Sequence, residues 1–223
     1  VSTEVVRYSL TGQLLEVKGG EVRMVASDGK RLAYIKAKSS GKAAGKDVRV
    51  IVPTKTMNLL EKVMGEGEEQ VALQVEETQV KIKTAKALIF SRLIEDRFPD
   101  YEAVVPSNLD KKVVVQRDLL LSAVRKSALM TTDKTRAVKF SLGKNRLVLF
   151  TRTQDVGEAK IEIAAEYKGD ELDIVFNPDY VADYLKVLSD ESVEIQLKDK
   201  NSAGVFRAGK DYVYVLMPLQ IAL

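Results

Sequence analysis

Covalent chemistry has few places to start in this sequence. It contains no Cys and no His, which removes disulfides, thiol nucleophiles, Cys/His zinc sites and every scheme built on imidazole. Lys and Ser nucleophiles and carboxylate-bound metals remain. The clustered carboxylates are Glu95, Asp96 and Asp100, a set that could hold a divalent cation. Asp96 and Asp100 nevertheless bracket Arg97 and a Phe98-Pro99 turn, and no second acidic cluster has metal-ligand spacing. The three read as surface punctuation. No catalytic residue, metal or cofactor is expected.

The composition is that of a soluble globular chain, with 45% hydrophobic, 30% charged and 6% aromatic residues over 223 positions. That length suits one large or two ordinary domains. No apolar run approaches the ~18 residues of a bilayer span, and Val1 leads into polar Ser2-Thr3-Glu4 and not into a secretory signal. A cytoplasmic protein with no membrane partner is expected. A net charge of +3 means that any contact with nucleic acid is local or weak.

The apolar spacing predicts strands at 8–17, 21–27 and 31–36, separated by turns at Lys18-Gly19-Gly20 and Asp28-Gly29. A strand at 48–52 follows, then a helix capped by Thr54 with Met57, Leu60 and Met64 on its apolar face. Strands at 70–75, 79–84 and 86–93 come next. Two prolines and turn residues between Arg97 and Asn108 place a domain boundary near Val105, dividing 1–105 from 106–223. The second half predicts a strand at 112–115, a helix at 117–131, and strands at 138–142, 146–151, 158–165 and up to Phe176. Asn177 as N-cap and Pro178 at the first helical position open a further helix with Val181, Tyr184, Leu185 and Leu188 on one face. Strands at 193–197, 204–207 and 212–217 close the chain. Ile51-Val52-Pro53-Thr54…Leu60…Val63-Met64 matches Val175-Phe176-Asn177-Pro178…Tyr184…Val187-Leu188 at an offset of about 124 residues. That period is too long for a solenoid and fits two copies of one domain. The first copy lacks the strand and helix that open the second, and so reads as truncated at its N-terminus.

Five stretches carry a resemblance. They are Val6-Arg7-Tyr8-Ser9-Leu10-Thr11-Gly12, Ala26-Ser27-Asp28-Gly29-Lys30-Arg31-Leu32-Ala33, Arg97-Phe98-Pro99-Asp100-Tyr101, Phe176-Asn177-Pro178-Asp179-Tyr180 and Tyr214-Val215-Leu216-Met217-Pro218-Leu219. In this order, on a duplicated strand-helix plan, the sequence resembles the β subunit of bacterial DNA polymerase III from Val6 to Ile221. The resemblance implies an α+β DNA-clamp fold, in which tandem domains have curved antiparallel sheets and two helices on the inner, DNA-facing side. It also implies a non-catalytic sliding clamp, the processivity factor of the replicative polymerase. This chain corresponds to the middle domain without its first strand and helix, and to the whole last domain. In that family three such domains make a chain, and two chains pair head to tail as a homodimeric ring around duplex DNA. The ring joins the first domain of one chain to the last of the other, so this chain alone is not expected to close one.

The resemblance further implies an apolar cleft for short peptides of the Gln-x-x-Leu-Phe kind, carried by the replicative polymerase, the clamp loader and repair polymerases. It maps to Arg7, Leu10, Ser27, Gly29, Lys30, Arg31, Leu32, Pro99, Val104, Asn177, Tyr180, Val215, Met217, Pro218 and Leu219. Leu10, Leu32, Val215, Met217 and Leu219 come from strands far apart in sequence, and Met suits a surface that accepts varied partners. Two buried apolar anchors at ~1.5–3 kcal/mol each, with a few hydrogen bonds, give on the order of 6–8 kcal/mol, a roughly micromolar affinity. Ala103 and Gln220-Ile221 stand where the family usually has Arg and Arg-Leu, which makes the rim less basic. Taken singly, Asp28-Gly29 is a hairpin turn, Met217-Pro218-Leu219 the end of an edge strand and Asn177-Pro178 a helix cap.

A sliding ring needs cations at loose distance from phosphates, without base readout. The helix at 117–131 offers Arg117, Arg125 and Lys126 away from its Leu120, Val124 and Ala128 stripe, with Lys134 and Arg136 just beyond. Tyr8 matches a family position near double-stranded DNA. The alternatives are a DNA-independent interaction module of the same fold, whose solvated helix face would carry the same charges, and, behind it, a metal-dependent enzyme built on Glu95, Asp96 and Asp100.

Overall fold

A computed structural model describes residues 8–39, 47–64, 70–132, 135–153 and 157–221. The chain divides into two compact units, Val1–Tyr101 and Glu102–Leu223.

In the first unit, β1 (Gly12–Lys18), β2 (Glu21–Ser27) and β3 (Arg31–Lys38) form a meander, and β4 (Val48–Pro53) returns to pair with β1. The antiparallel order is β4-β1-β2-β3. Helix α1 (Thr54–Val63) follows, and then β5 (Ala72–Val75), β6 (Gln79–Lys83) and β7 (Leu88–Arg92) form a second antiparallel sheet in chain order. Because side chains alternate along a strand, Leu15 and Val52 leave one face of the first sheet and join Leu60, Val80, Ile82 and Ile89 in an aliphatic core. The opposite face carries Leu14, Val25, Leu32 and Ile51, which are also buried. The segment after β7 doubles back to this sheet, where the Ile94 amide donates to the Ile51 carbonyl at 2.9 Å.

The second unit opens with β8 (Lys111–Gln116) and α2 (Arg117–Ala128). A meander of β9 (Val138–Gly143), β10 (Arg146–Thr153) and β11 (Gly157–Ala164) follows, and β12 (Leu172–Phe176) pairs with β9 to give β11-β10-β9-β12. Helix α3 (Pro178–Lys186) leads into β13 (Ser192–Leu197), β14 (Gly204–Ala208) and β15 (Tyr212–Leu216), which with β8 are ordered β15-β14-β13-β8. Apart from β8 and α2, the element order and strand order of the first unit recur. The Leu219 amide donates to the Val175 carbonyl at 2.8 Å, repeating the Ile94–Ile51 bond at the equivalent strand.

Most strand bounds shift by one or two residues, and three shifts have a physical reason in the bonds made there. Tyr8–Thr11 is a 3-10 turn and not the beginning of a strand. There the Ser9 amide is held by the Asp96 carboxylate at 2.9 Å, and the Thr11 carbonyl accepts from the Thr54 hydroxyl at 2.8 Å. The same bond removes Thr54 from the capping role; it is the first helical residue, and Pro53 occupies the N-cap without a side-chain bond. Helix α2 stops at Ala128 instead of Thr131, because the Met130 and Thr131 amides bond only three residues back, to Ser127 and Ala128. At α3 the expectation holds: Pro178 opens the helix and the Asn177 side chain accepts from the Asp179 amide at 2.9 Å.

Candidate functional site

The first unit supplies a hairpin loop and a proline. Between β2 and β3 the chain turns through Gly29 at φ 85°, a left-handed conformation that glycine adopts without strain. Asp28 organises the turn: its carboxylate accepts from the Lys30 and Arg31 amides, both at 3.0 Å, and from Arg31 Nε at 2.9 Å. Burial raises the Asp28 pKa, but these three bonds outweigh it and hold the carboxyl below its usual range. The Ser27 hydroxyl closes the loop by donating to the Arg31 carbonyl at 2.9 Å. Gly29 and Lys30 are exposed, Leu10, Ser27, Arg31 and Pro99 half-buried, and Leu32 buried. Arg7 lies outside the described residues.

In the second unit, the end of β15 and the start of α3 come together. The Tyr214 hydroxyl donates to the Tyr180 carbonyl at 2.9 Å, and Leu219 is tied to Val175 as above. Between these two anchors Met217 stands 47% exposed, whereas Val215 and Pro218 are buried. Asn177, Tyr180 and Leu219 are half-buried, and Val104 is exposed in a short 3-10 turn, Glu102–Val104. The result is an apolar ledge tied down on both sides of Met217.

The basic residues separate into two groups. Arg117 Nη1 donates to the Leu188 carbonyl at 3.0 Å, at the end of α3. Arg136 pairs with Asp179 at 3.1 Å and donates to the Thr131 hydroxyl at 2.9 Å. These two guanidiniums fasten α2 and α3 at opposite ends, which makes the helices antiparallel. Arg125 and Lys126 are exposed, and their side chains have no hydrogen bond or ion pair among the described residues. On the buried side of α2 lie Leu120, Ala123, Val124 and Ser127. Lys134 lies outside the described residues, as does the side chain of Tyr8.

Of the candidate metal set, both oxygens of Asp96 are taken by backbone amides, from Ser9 and from Arg97. Among the described residues no group of three His, Cys, Asp or Glu is placed to hold a metal. No helix among them is long and apolar enough to cross a membrane. The residues absent from the sequence-derived set are Asp28 and Tyr101. Both lie inside the quoted stretches; the bonds of Asp28 are local to its turn, two and three residues on, whereas those of Tyr101 reach 78 and 85 residues back and are not written locally.

Two like units of α+β fold carry an apolar ledge and an exposed basic helix face. The sequence pattern of the DNA polymerase III beta subunit, central domain, matches residues 1–100, and that of its C-terminal domain matches residues 102–220. The chain belongs to the DNA polymerase III beta subunit family. It is 34% identical over 218 residues to the beta sliding clamp of Pseudomonas aeruginosa, covering 97% of this chain and 59% of that protein. A crystal structure of the DNA polymerase sliding clamp from Pseudomonas aeruginosa has a TM-score of 0.92 at 33% identity, covering 99% of this chain and 60% of that one. The sliding clamp of the same organism bound to griselimycin gives 0.91 at 34% identity and the same coverage. The chain thus spans about three fifths of the relatives it matches.

Proposed function

We propose that this chain forms part of a bacterial DNA sliding clamp, a cytoplasmic, non-catalytic processivity factor that holds polymerase, clamp-loader and repair-polymerase peptides beside duplex DNA. The observation that carries this reading is the exposed Met217, held between the Tyr214–Tyr180 and Leu219–Val175 bonds. A preorganised apolar anchor keeps the ordering cost of binding low, and weak polar surroundings keep partners exchangeable. By resemblance the same set takes in Leu10, the Ser27–Arg31 loop, Leu32 and Pro99 of the first unit and Val104, Val215 and Pro218 of the second. Arg7 completes the set by resemblance.

The DNA-facing role falls mainly on Arg125 and Lys126, since Arg117 and Arg136 are committed to the helix pair; Lys134 and Tyr8 belong to the set by resemblance. Replacing Arg125 and Lys126 with Ala should weaken duplex binding equally for unrelated sequences and lower its salt dependence by about two counterions' worth. Filter binding at several salt concentrations measures this, and a sequence-selective loss would contradict it. A homodimeric ring around duplex DNA is the assembly in which the resemblance implies that these two units act. Griselimycin should compete with a labelled Gln-x-x-Leu-Phe peptide for the chain, as tested by fluorescence anisotropy.

A further inference from the structure

We propose that Tyr101 is a positioning residue for peptide binding, which fixes Pro99 in the place where a partner peptide meets the first unit. The proposal rests on the peptide-binding reading above. Strand register sets Arg49, Glu16 and Arg23 side by side across β4, β1 and β2. Glu16 pairs with Arg49, and Arg23 Nε donates to Glu21 at 2.6 Å. Tyr101 sits on this charged row. Its hydroxyl donates to Glu16 Oε2 at 2.7 Å and accepts from Arg23 Nη1 at 3.3 Å, so both of its hydrogen-bonding capacities are used. The ring is 4% exposed and lies 6.1 Å from that of Tyr34 on β3.

Phe98 is equally buried, at 4%. Pro99 is therefore suspended between two anchors, one apolar and one hydrogen-bonded, with its own φ fixed by the pyrrolidine ring. Glu16, Arg23 and Tyr34, which Tyr101 meets, share the face of the sheet that bears Leu14 and Leu32, so Tyr101 is seated on the face that carries a second member of the peptide set. Peptide affinity scales with the fraction of molecules in which such a segment is in place. Loss of a single hydrogen-bonded hydroxyl shifts the equilibrium between seated and displaced segment by about three- to tenfold, and Kd rises by up to that factor.

The test compares the wild-type chain with Tyr101→Phe, which keeps the ring and removes the hydroxyl. A labelled Gln-x-x-Leu-Phe peptide is titrated, and amide hydrogen exchange is followed across 97–101. The variant should bind measurably more weakly, by up to about three- to tenfold, with faster exchange confined to that segment and a melting temperature close to wild type. Glu16→Gln, which retains an acceptor for the phenol, should bind as wild type does, whereas Glu16→Leu should behave as Tyr101→Phe. Wild-type affinity in Tyr101→Phe, or unchanged exchange across 97–101, overturns the proposal while leaving the peptide site intact. A wild-type chain that binds no peptide overturns the site itself and this proposal with it.

Discussion

The two units share a strand order and differ in what fills it. Register and the repeat offset place Leu15, Val52, Leu60, Ile82 and Ile89 of the first unit where the second has Phe140, Phe176, Tyr184, Phe206 and Tyr214. The aromatic set forms one continuous chain, with ring centroids 5.5 Å apart for Phe140–Phe176, 5.7 Å for Phe176–Phe206, 5.8 Å for Tyr184–Phe206 and 4.9 Å for the stacked Tyr184–Tyr214 pair. Edge-to-face and offset contacts of this kind are directional. Space for the Phe176 ring is left where Val80, fully buried in the first unit, is replaced by Gly204 in the second. A Cβ on Gly204 would lie 2.8 Å from the Phe176 ring and 3.0 Å from Leu197. The two units therefore distribute bulk differently between adjacent strands of one strand order.

That contrast can be broken from either side. Phe206→Ala removes the ring that touches three others, and should destabilise the second unit by about 3–5 kcal/mol, whereas Ile82→Val at the equivalent site should cost about 0.5–1.5 kcal/mol. Denaturant unfolding followed by hydrogen exchange in each unit measures both, and equal losses would remove the distinction between the cores. Gly204→Val should cost about 1–3 kcal/mol by overpacking, and adding Phe176→Val should recover part of it, because the pair then reproduces the Val80–Val52 arrangement. Additive losses would show that the two sites do not share volume. Tyr184 gives the smallest effect. Its hydroxyl is buried without a partner among the described residues, and burial pushes its pKa well above the usual phenol range. Tyr184→Phe should therefore leave stability unchanged or raise it by about 1 kcal/mol, as read from the melting temperature.

What the sequence disclosed of all this follows the range of each interaction. The repeat was legible because strand-to-helix junctions are local: Pro53 and Asn177 occupy equivalent N-caps, and Leu60 and Tyr184 equivalent buried positions. The antiparallel meanders were legible from alternation and from Asp28-Gly29. The roles of the arginines were not. Arg117 finds its acceptor 71 residues away and Tyr101 finds Glu16 at a separation of 85, so nothing near either residue distinguishes a tied side chain from a solvated one. For the same reason Ser9 and Thr11 read as strand, although Asp96 and Thr54 pull that backbone into a 3-10 turn.

The ledge at the end of β15 belongs to the aromatic unit, where Tyr214 is stacked on Tyr184 and simultaneously bonded to Tyr180. A rigid aromatic core thus presents Met217 at a fixed place, and this rigidity is what the peptide-binding reading requires. Titration of a labelled Gln-x-x-Leu-Phe peptide into the wild-type chain and Met217→Ala tests it most directly, with circular dichroism recorded on both. The account predicts saturable binding at roughly micromolar Kd for wild type and a loss of about 1–3 kcal/mol for the variant, with both proteins folded. A folded wild-type chain that shows no saturable binding, or a folded Met217→Ala that binds as tightly as wild type, would contradict it.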